Sequence, residues 1–186
     1  MKIYYLMNYV ALSTDRIHGY TPTADEVSAR KEVWNFKDGC CSQHIMVGLA
    51  SGIAKLADSN TVVCFVPAST GVKTSRRFGR IAPRLATLSG IPCTLEGIRR
   101  TEDGEAGHIS GKTADPASVF AFNPEVFRGK RVILIDDVVT RGNTLSSTAR
   151  RLLSGGAEEV VGLVVARTYN PFWSGGENRN LEKLLF

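Results

Sequence analysis

Residues 131–144 read RVILIDDVVTRGNT, and the fold turns on this stretch. Val132 to Ile135 are consecutive apolar residues, too short and too tightly bounded for a buried helix and suited to a strand covered on both faces. Asp136 and Asp137 follow where that strand is expected to end. After Val138 and Val139 comes a turn rich in hydroxyls and backbone donors: Thr140, Arg141, Gly142, Asn143 and Thr144. A helix is predicted behind the turn, with Leu145, Ala149, Leu152 and Leu153 on one face and Gly155 and Gly156 closing it.

That order has a physical reading. A loop that delivers its backbone N–H groups to the start of a helix cradles an anion, because the unpaired amides and the helix dipole both favour negative charge there. Gly142 lets the main chain approach closely, and Thr140 and Thr144 add hydroxyl donors. Two carboxylates repel a phosphate but accept hydrogen bonds from sugar hydroxyls one step along the same ligand. The implied ligand is a sugar phosphate with a vicinal diol.

Working outward, Thr61 to Val66 and Glu159 to Ala166 are further near-continuous apolar runs, and helical patterns separate all three. The expected fold class is therefore α/β: a doubly wound, mainly parallel twisted sheet with helices on both faces. After the run 61–66 comes PASTGVKTSRRF, residues 67–78, read as a loop bearing Ser69, Thr70, Gly71, Lys73, Arg76 and Arg77. Ligands gather beyond the carboxyl ends of strands in such sheets, so this basic segment is well placed for phosphate.

Elsewhere the signals are weaker. Residues 2–12 have strand composition, and 13–30, with Gly19 and Pro22, read as loop. Ala29 to Phe36 suits a turn of helix or a strand equally. Ser42 is placed to cap a helix running to about Ala57. Phe78, Ile81, Ala82, Leu85 and Leu88 predict a helix ending at Gly90, with Pro83 tolerated only in its first turn. Cys93 to Ile98 is a short strand, and 99–118, RRTEDGEAGHISGKTADPAS, a long polar segment. Tyr169, Phe172 and Trp173 either stack on a planar ligand or pack on the amino-terminal tyrosines.

The 186 residues make one domain's worth of chain, and 43% hydrophobic with 22% charged residues are globular values. A net charge of +5 suits phosphate ligands. The basic residues are scattered and form no block, which argues against nucleic acid as partner. Cys40, Cys41, Cys64 and Cys93 show neither zinc-ribbon nor disulfide spacing, and with no apolar run long enough for a membrane span the expected setting is a reducing cytoplasm.

VILIDDVVTRGNT resembles the 5-phosphoribosyl-1-pyrophosphate (PRPP) signature of type I phosphoribosyltransferases. The resemblance implies that Asp136 and Asp137 take the ribose 2- and 3-hydroxyls, and that Val139, Thr140, Arg141, Gly142, Asn143 and Thr144 hold the 5-phosphate. It makes residues 67–78 the pyrophosphate loop, with the amides near Ala68 and Ser69 and the cations Lys73, Arg76 and Arg77 on the leaving group. The segment 99–118 becomes a mobile cover from which Arg99, Arg100 and Lys112 reach the pyrophosphate, and residues 1–40 and 167–186 form a hood on a single domain. Within the family the chain is most similar to the competence-associated ComF-like members. That likeness rests on FKDG at 36–39, SRRFGRIAPRLATLSGIP at 75–92, IRRT at 98–101 and FAFNPEVFRGKRVILIDDVVTRGNT at 120–144. Many of those members carry a cysteine-rich zinc module at the amino end, which this sequence does not show.

What the resemblance implies is an enzyme that binds PRPP with magnesium and passes the phosphoribosyl group to a small-molecule acceptor, usually a nitrogen, releasing pyrophosphate. No protein side chain is expected to ligate the metal directly, although Asp136 and Asp137 are placed to meet it through water. Relatives are commonly homodimers. The rival readings are a PRPP-binding regulator without catalysis, a DNA-uptake accessory protein and a PRPP-synthesising pyrophosphokinase.

Overall fold

In the computed structural model, which describes residues 1–101, 115–172 and 181–184, the stretch 131–139 is an inner strand of a six-stranded sheet. The chain runs β1 (Ile3–Tyr9), α1 (Leu12–His18), α2 (Ala24–Lys37), α3 (Gln43–Leu56), β2 (Thr61–Phe65), α4 (Gly71–Phe78), α5 (Ile81–Ser89), β3 (Cys93–Thr94) and β4 (Ile98–Arg100). It continues β5 (Phe120–Phe122), α6 (Pro124–Phe127), β6 (Arg131–Val139), α7 (Asn143–Ser154), β7 (Glu159–Thr168) and β8 (Leu181–Lys183). The strand order is β3-β2-β6-β7-β1-β8, with every pairing parallel. β4 and β5 form a separate antiparallel ribbon.

The apolar runs are continuous because both faces of these strands are covered. Side chains alternate with period two, so Ile133 and Ile135 enter one core while Val132 and Leu134 enter the other. The first core receives Phe36 of α2, Leu49 and Ile53 of α3, Phe78 of α4 and Leu85 of α5. The second receives Phe127 of α6 and Leu145, Ala149 and Leu152 of α7. Helices that follow β2 thus cover one face and the helix that follows β6 covers the other. Between these neighbouring strands the loops leave in opposite directions, which opens a crevice at their carboxyl ends.

Several expectations need correction. Residues 13–30 are not loop: nearly all of α1 and the first half of α2 lie there. Thr23 and Glu26 form a reciprocal capping box directly after Pro22, a start signal that outweighs the sparse apolar residues of α2. Arg30, buried on α2, donates to the Val10 carbonyl at 2.7 Å and pairs with Asp15 at 2.6 Å, fixing the end of β1. The strands at both chain ends, β1 and β8, belong to the main sheet and not to a hood, because β1 pairs with β7 along its length and carries β8 on its free edge. Beyond β7, Phe172 packs against His18 and Tyr20 with ring centroids 5.1 and 5.5 Å away.

The helix predicted from Phe78 is broken at Gly79 and Arg80, and Pro83 falls in the first turn of α5, where its missing N–H costs nothing. Leu153 is half exposed and stands off the buried face of α7. Residues 93–98 divide between β3 and β4. Residues 102–114, with His108 and Lys112, lie outside the described residues, as does Trp173.

Candidate active site

α7 begins without a cap. Its N-cap residue is Gly142 at φ 76°, in the left-handed region that glycine enters freely, and among the described residues no side chain caps the first turn. The first bond of the helical ladder runs from the Ser146 N–H to the Gly142 carbonyl at 2.8 Å. The amides of Asn143, Thr144 and Leu145 therefore have no helical carbonyl to donate to. They border a cavity of about 270 Å³ lined by Asp136, Val138, Val139, Thr140, Arg141, Gly142, Asn143, Thr144 and Leu145. The predicted 5-phosphate residues are thus brought together at one hollow. Arg141 is exposed at its rim and has no ion-pair partner among the described residues.

The two acids part company. Asp136 lines the cavity, and its Oδ1 accepts from the Asp137 N–H at 2.8 Å. Burial, and then the charge of Asp137, push the Asp136 carboxyl up to about 7. Asp137 is buried and turns to the opposite face of β6, as the strand's alternation requires. There its Oδ2 meets Arg77 Nη1 at 2.5 Å, while its Oδ1 accepts from the Val138 N–H at 2.6 Å. The acid pair is therefore one carboxyl presented to the cavity and one held by a cation.

Residues 71–78 are the helix α4 and not a loop, so Lys73, Arg76 and Arg77 have fixed directions. Thr70 caps it, accepting from the Lys73 N–H at 3.1 Å, and the Ala68 amide donates to Thr74 Oγ1 at 2.9 Å. The Ala68 N–H, expected on a leaving group, is thus already satisfied within the segment. Lys73 is exposed and pairs with no acid among the described residues, whereas Arg76 pairs with Asp38 at 2.9 Å on the surface. The motif FKDG explains how α4 is seated. Phe36 packs on Phe78 at 6.1 Å, the Lys37 carbonyl accepts from Arg77 Nε at 3.4 Å, and Asp38 holds Arg76. Gly39, at φ 81°, lies so close beneath the Arg76 carbonyl that an added Cβ would stand 2.1 Å from its oxygen.

Arg99 and Arg100 sit on β4, and neither lines the cavity that contains Asp136. Arg99 is exposed and paired with Glu96. The polar segment re-enters the described chain at Asp115, which accepts from the Ala117 N–H and from Ser147 and pairs with Arg151 at 3.2 Å, so it is moored to α7. Sequence reasoning missed one neighbour of the loop. Thr168, at the end of β7, bonds the Thr140 hydroxyl at 2.9 Å. No local pattern marks it. It follows from the parallel register that sets Val139 beside Arg167.

Over 44 residues the chain is 46% identical to the amidophosphoribosyltransferase of Rattus norvegicus, a match covering 24% of this chain and 8% of that protein, and the same figures hold for that of Mus musculus. The matched part of the chain thus spans less than a tenth of these relatives. Among solved structures it is similar to the allosteric regulatory enzyme of purine biosynthesis, at TM-score 0.43 and 23% identity over 84% of this chain and 30% of that one. It is also similar to the purine phosphoribosyltransferase from Pyrococcus horikoshii, at TM-score 0.45 and 19% identity over 81% and 83%. The family model described as phosphoribosyl transferase domain matches residues 44–170, from the start of α3 past the end of β7. That span takes in both loops at the crevice and most of the chain, and the protein belongs to the phosphoribosyl transferase domain family.

Proposed function

We propose that the protein binds PRPP and transfers its 5-phosphoribosyl group to a small nitrogen nucleophile, releasing pyrophosphate. One observation carries the reading: the uncapped amino end of α7 and the Asp136 carboxyl share a single hollow at the carboxyl end of β6. Residues 139–144 receive the 5-phosphate, because amides at a helix start and the Arg141 charge both favour an anion. Asp136 accepts from the ribose hydroxyls. Ser69, Lys73 and Arg76, on the other side of the crevice, take the pyrophosphate.

In the reaction the bond between the anomeric carbon and the pyrophosphate oxygen breaks, with its electron pair leaving on pyrophosphate. The acceptor nitrogen then forms the new bond and loses a proton. Positive charge develops on the ribose next to Asp136, while negative charge leaves toward the cations of α4, so the chain acts by positioning and electrostatic stabilisation. The oxygen donors at the hollow, the Asp136 carboxylate and the Thr140 hydroxyl, suit magnesium, a hard ion that takes most of its ligands from phosphates and water. Such an ion would arrive with the substrate, held mainly by its phosphate oxygens and by water. Bound, it would neutralise the departing pyrophosphate.

The ComF-like motifs support a placement within that branch, and Arg99, Arg100 and Lys112 are kept as groups that reach the leaving group when substrate is bound. Homodimer formation and a cytoplasmic setting belong to the same reading. Among the described residues no helix is long and apolar enough to cross a membrane. Calorimetry with PRPP and magnesium, followed by a pyrophosphate-release assay over a panel of bases, amides and ammonia, is the test. Binding with release in at least one mixture is expected. Absence of binding sinks the reading, and tight binding without release in any mixture makes the protein a PRPP sensor.

A further inference from the structure

We propose that the layer of α3, α4 and α5 is a docking surface for an acidic, amphipathic segment of a partner protein. A stripe of cations along α4 and α5 meets its carboxylates, and Val47 and Leu88 meet its apolar side. The proposal does not depend on the PRPP reading.

The net charge of the chain is concentrated in this layer. Residues 39–95 hold six of the 23 Lys and Arg residues but only one of the 18 Asp and Glu residues, so the two signs balance in the rest of the chain and the whole net charge of +5 belongs to this span. Its one acid, Asp58, lies beyond the end of α3 and pairs with Arg131 at 3.2 Å, so no carboxylate stands on the three helices themselves. Along the sequence the cations form no long run, but the fold lines them up. Gly79 and Arg80, between α4 and α5, keep right-handed helical backbone angles, so Lys73, Arg76, Arg80 and Arg84, three or four residues apart, follow one side. All four are exposed. Arg76 has Asp38 and Arg84 has the neutral Gln43 at 3.0 Å, while Lys73 and Arg80 pair with no acid among the described residues.

The stripe is longer than a substrate anion needs. At ~1.5 Å of rise per residue, Arg84 lies roughly 16 Å beyond Lys73 along the helical path, well past the reach of a pyrophosphate held at the first turn of α4. Such a ligand accounts for Lys73 and Arg76 and leaves Arg80 and Arg84 without a use. The bond from Arg84 to Gln43 joins α5 to α3. Both helices lead into neighbouring parallel strands and so run the same way; one turn further along each, Val47 and Leu88 fall on the same flank, 49% and 50% exposed. Cations beside a half-exposed aliphatic pair fit carboxylates and aliphatic side chains set along one segment, the composition of an acidic amphipathic helix. A nucleic acid strand fits less well. Phe65 and Phe78, the only Phe, Tyr or Trp residues in 39–95, are both buried, so no such ring is offered for base stacking.

The experiment measures binding to the full-length protein by fluorescence anisotropy at about 0.15 M salt, where exposed charges are already screened. The probe is a labelled synthetic helix with Glu on one face and Leu on the other. It is compared with the same peptide carrying Ser for Leu, the same carrying Gln for Glu, and a single-stranded oligonucleotide of about 20 nucleotides. The Glu and Leu peptide should bind with a Kd on the order of tens of micromolar, and each substituted peptide at least about fivefold more weakly. Arg80→Glu with Arg84→Glu should weaken it about tenfold, and Val47→Ser with Leu88→Ser about fivefold. No binding of the peptide up to about 1 mM overturns the proposal, as does an affinity unchanged by charge reversal or by loss of the leucines. Tighter binding of the oligonucleotide than of the peptide overturns it too and makes the stripe a nucleic-acid surface. PRPP affinity should stay within about twofold of the parent in the Arg80 and Arg84 variant, and a tenfold loss would assign the stripe to the substrate and defeat the docking role. Failure of the parent to bind PRPP removes the proposed function but leaves the peptide result standing. Should the charge-reversed protein unfold, Arg80→Gln with Arg84→Gln carries the decision, with a loss of about threefold expected and none overturning the proposal.

Discussion

The loops that follow β2 and β6 have the same local plan and opposite outcomes. Each leaves the carboxyl end of a parallel strand and feeds a helix within a few residues. After β2, Thr70 accepts from the first turn of α4 and Thr74 fills the Ala68 amide, so the segment satisfies its own donors. After β6, Gly142 stands where a cap would be, and the amides of α7 open onto a hollow. The comparison teaches that a helix start keeps donors for a ligand only where no side chain has taken them. The helix after β2 instead presents cations, of which Arg76 and Arg77 are held by Asp38 and the Lys37 carbonyl at the end of α2.

The most severe way to break this contrast is Gly142→Val. A Cβ there would touch Ile3 and Val139 only at 3.6 Å, so space is not the obstacle, but φ at 76° is one that valine rarely adopts. Refolding of the loop should reduce PRPP affinity by about a hundredfold or more in calorimetry, with about 1–3 kcal/mol lost in urea unfolding. An affinity within a few-fold of the parent would mean that the seat lies elsewhere.

Gly39→Ala attacks the other side. The 2.1 Å approach to the Arg76 carbonyl oxygen is to backbone, which cannot swing away, and α2 and α4 must separate. Denaturant unfolding should show about 2–4 kcal/mol of lost stability. A loss well under 1 kcal/mol would show that α4 does not depend on the FKDG corner.

Asp136→Asn sharpens the contrast through pH. The folded carboxyl is raised to about 7 from an ordinary 3.8, so between those values the unfolded chain releases a proton that the native state keeps. Stability of the parent therefore falls as pH rises through that window and is level below it. The asparagine variant escapes this loss. It should gain on the order of 1–2 kcal/mol relative to the parent at pH 8 and nothing at pH 4, once partial contact with solvent is allowed for. Thermal scans at the two pH values read the difference, and equal gains at both would rule out the titration of Asp136 as its source.

The smallest effect belongs to Thr70→Ala, which uncaps α4 and should cost about 1 kcal/mol in thermal unfolding. No cost at all would indicate that the amide of Lys73 finds another partner and that the closed loop is not closed by its cap.

Legibility differed between the two loops for the same reason that their chemistry differs. The hollow after β6 is lined by residues contiguous in sequence, so their types and order are enough to predict strand, turn and helix. The segment after β2 has the letters of a basic loop, because Lys73, Arg76 and Arg77 form no apolar periodicity, and only the cap at Thr70 marks its helix start. Likewise the capping box of α2 was present in the letters at Thr23 and Glu26, but Gly19 and Pro22 hid it under loop composition.

By itself the sequence determined the parallel α/β sheet and the strand, turn and helix that follow one another around Asp136, since both depend on contacts within a few residues and on burial of whole strands. Only the tertiary structure decided which acid faces the ligand, which cation holds the other, and that Thr168 braces Thr140. Alternation along β6 fixes that Asp136 and Asp137 point apart, but the side that becomes cavity and the side that meets Arg77 depend on which way α7 and α4 cross the sheet. That choice is made by packing of distant helices, and no neighbouring residue records it.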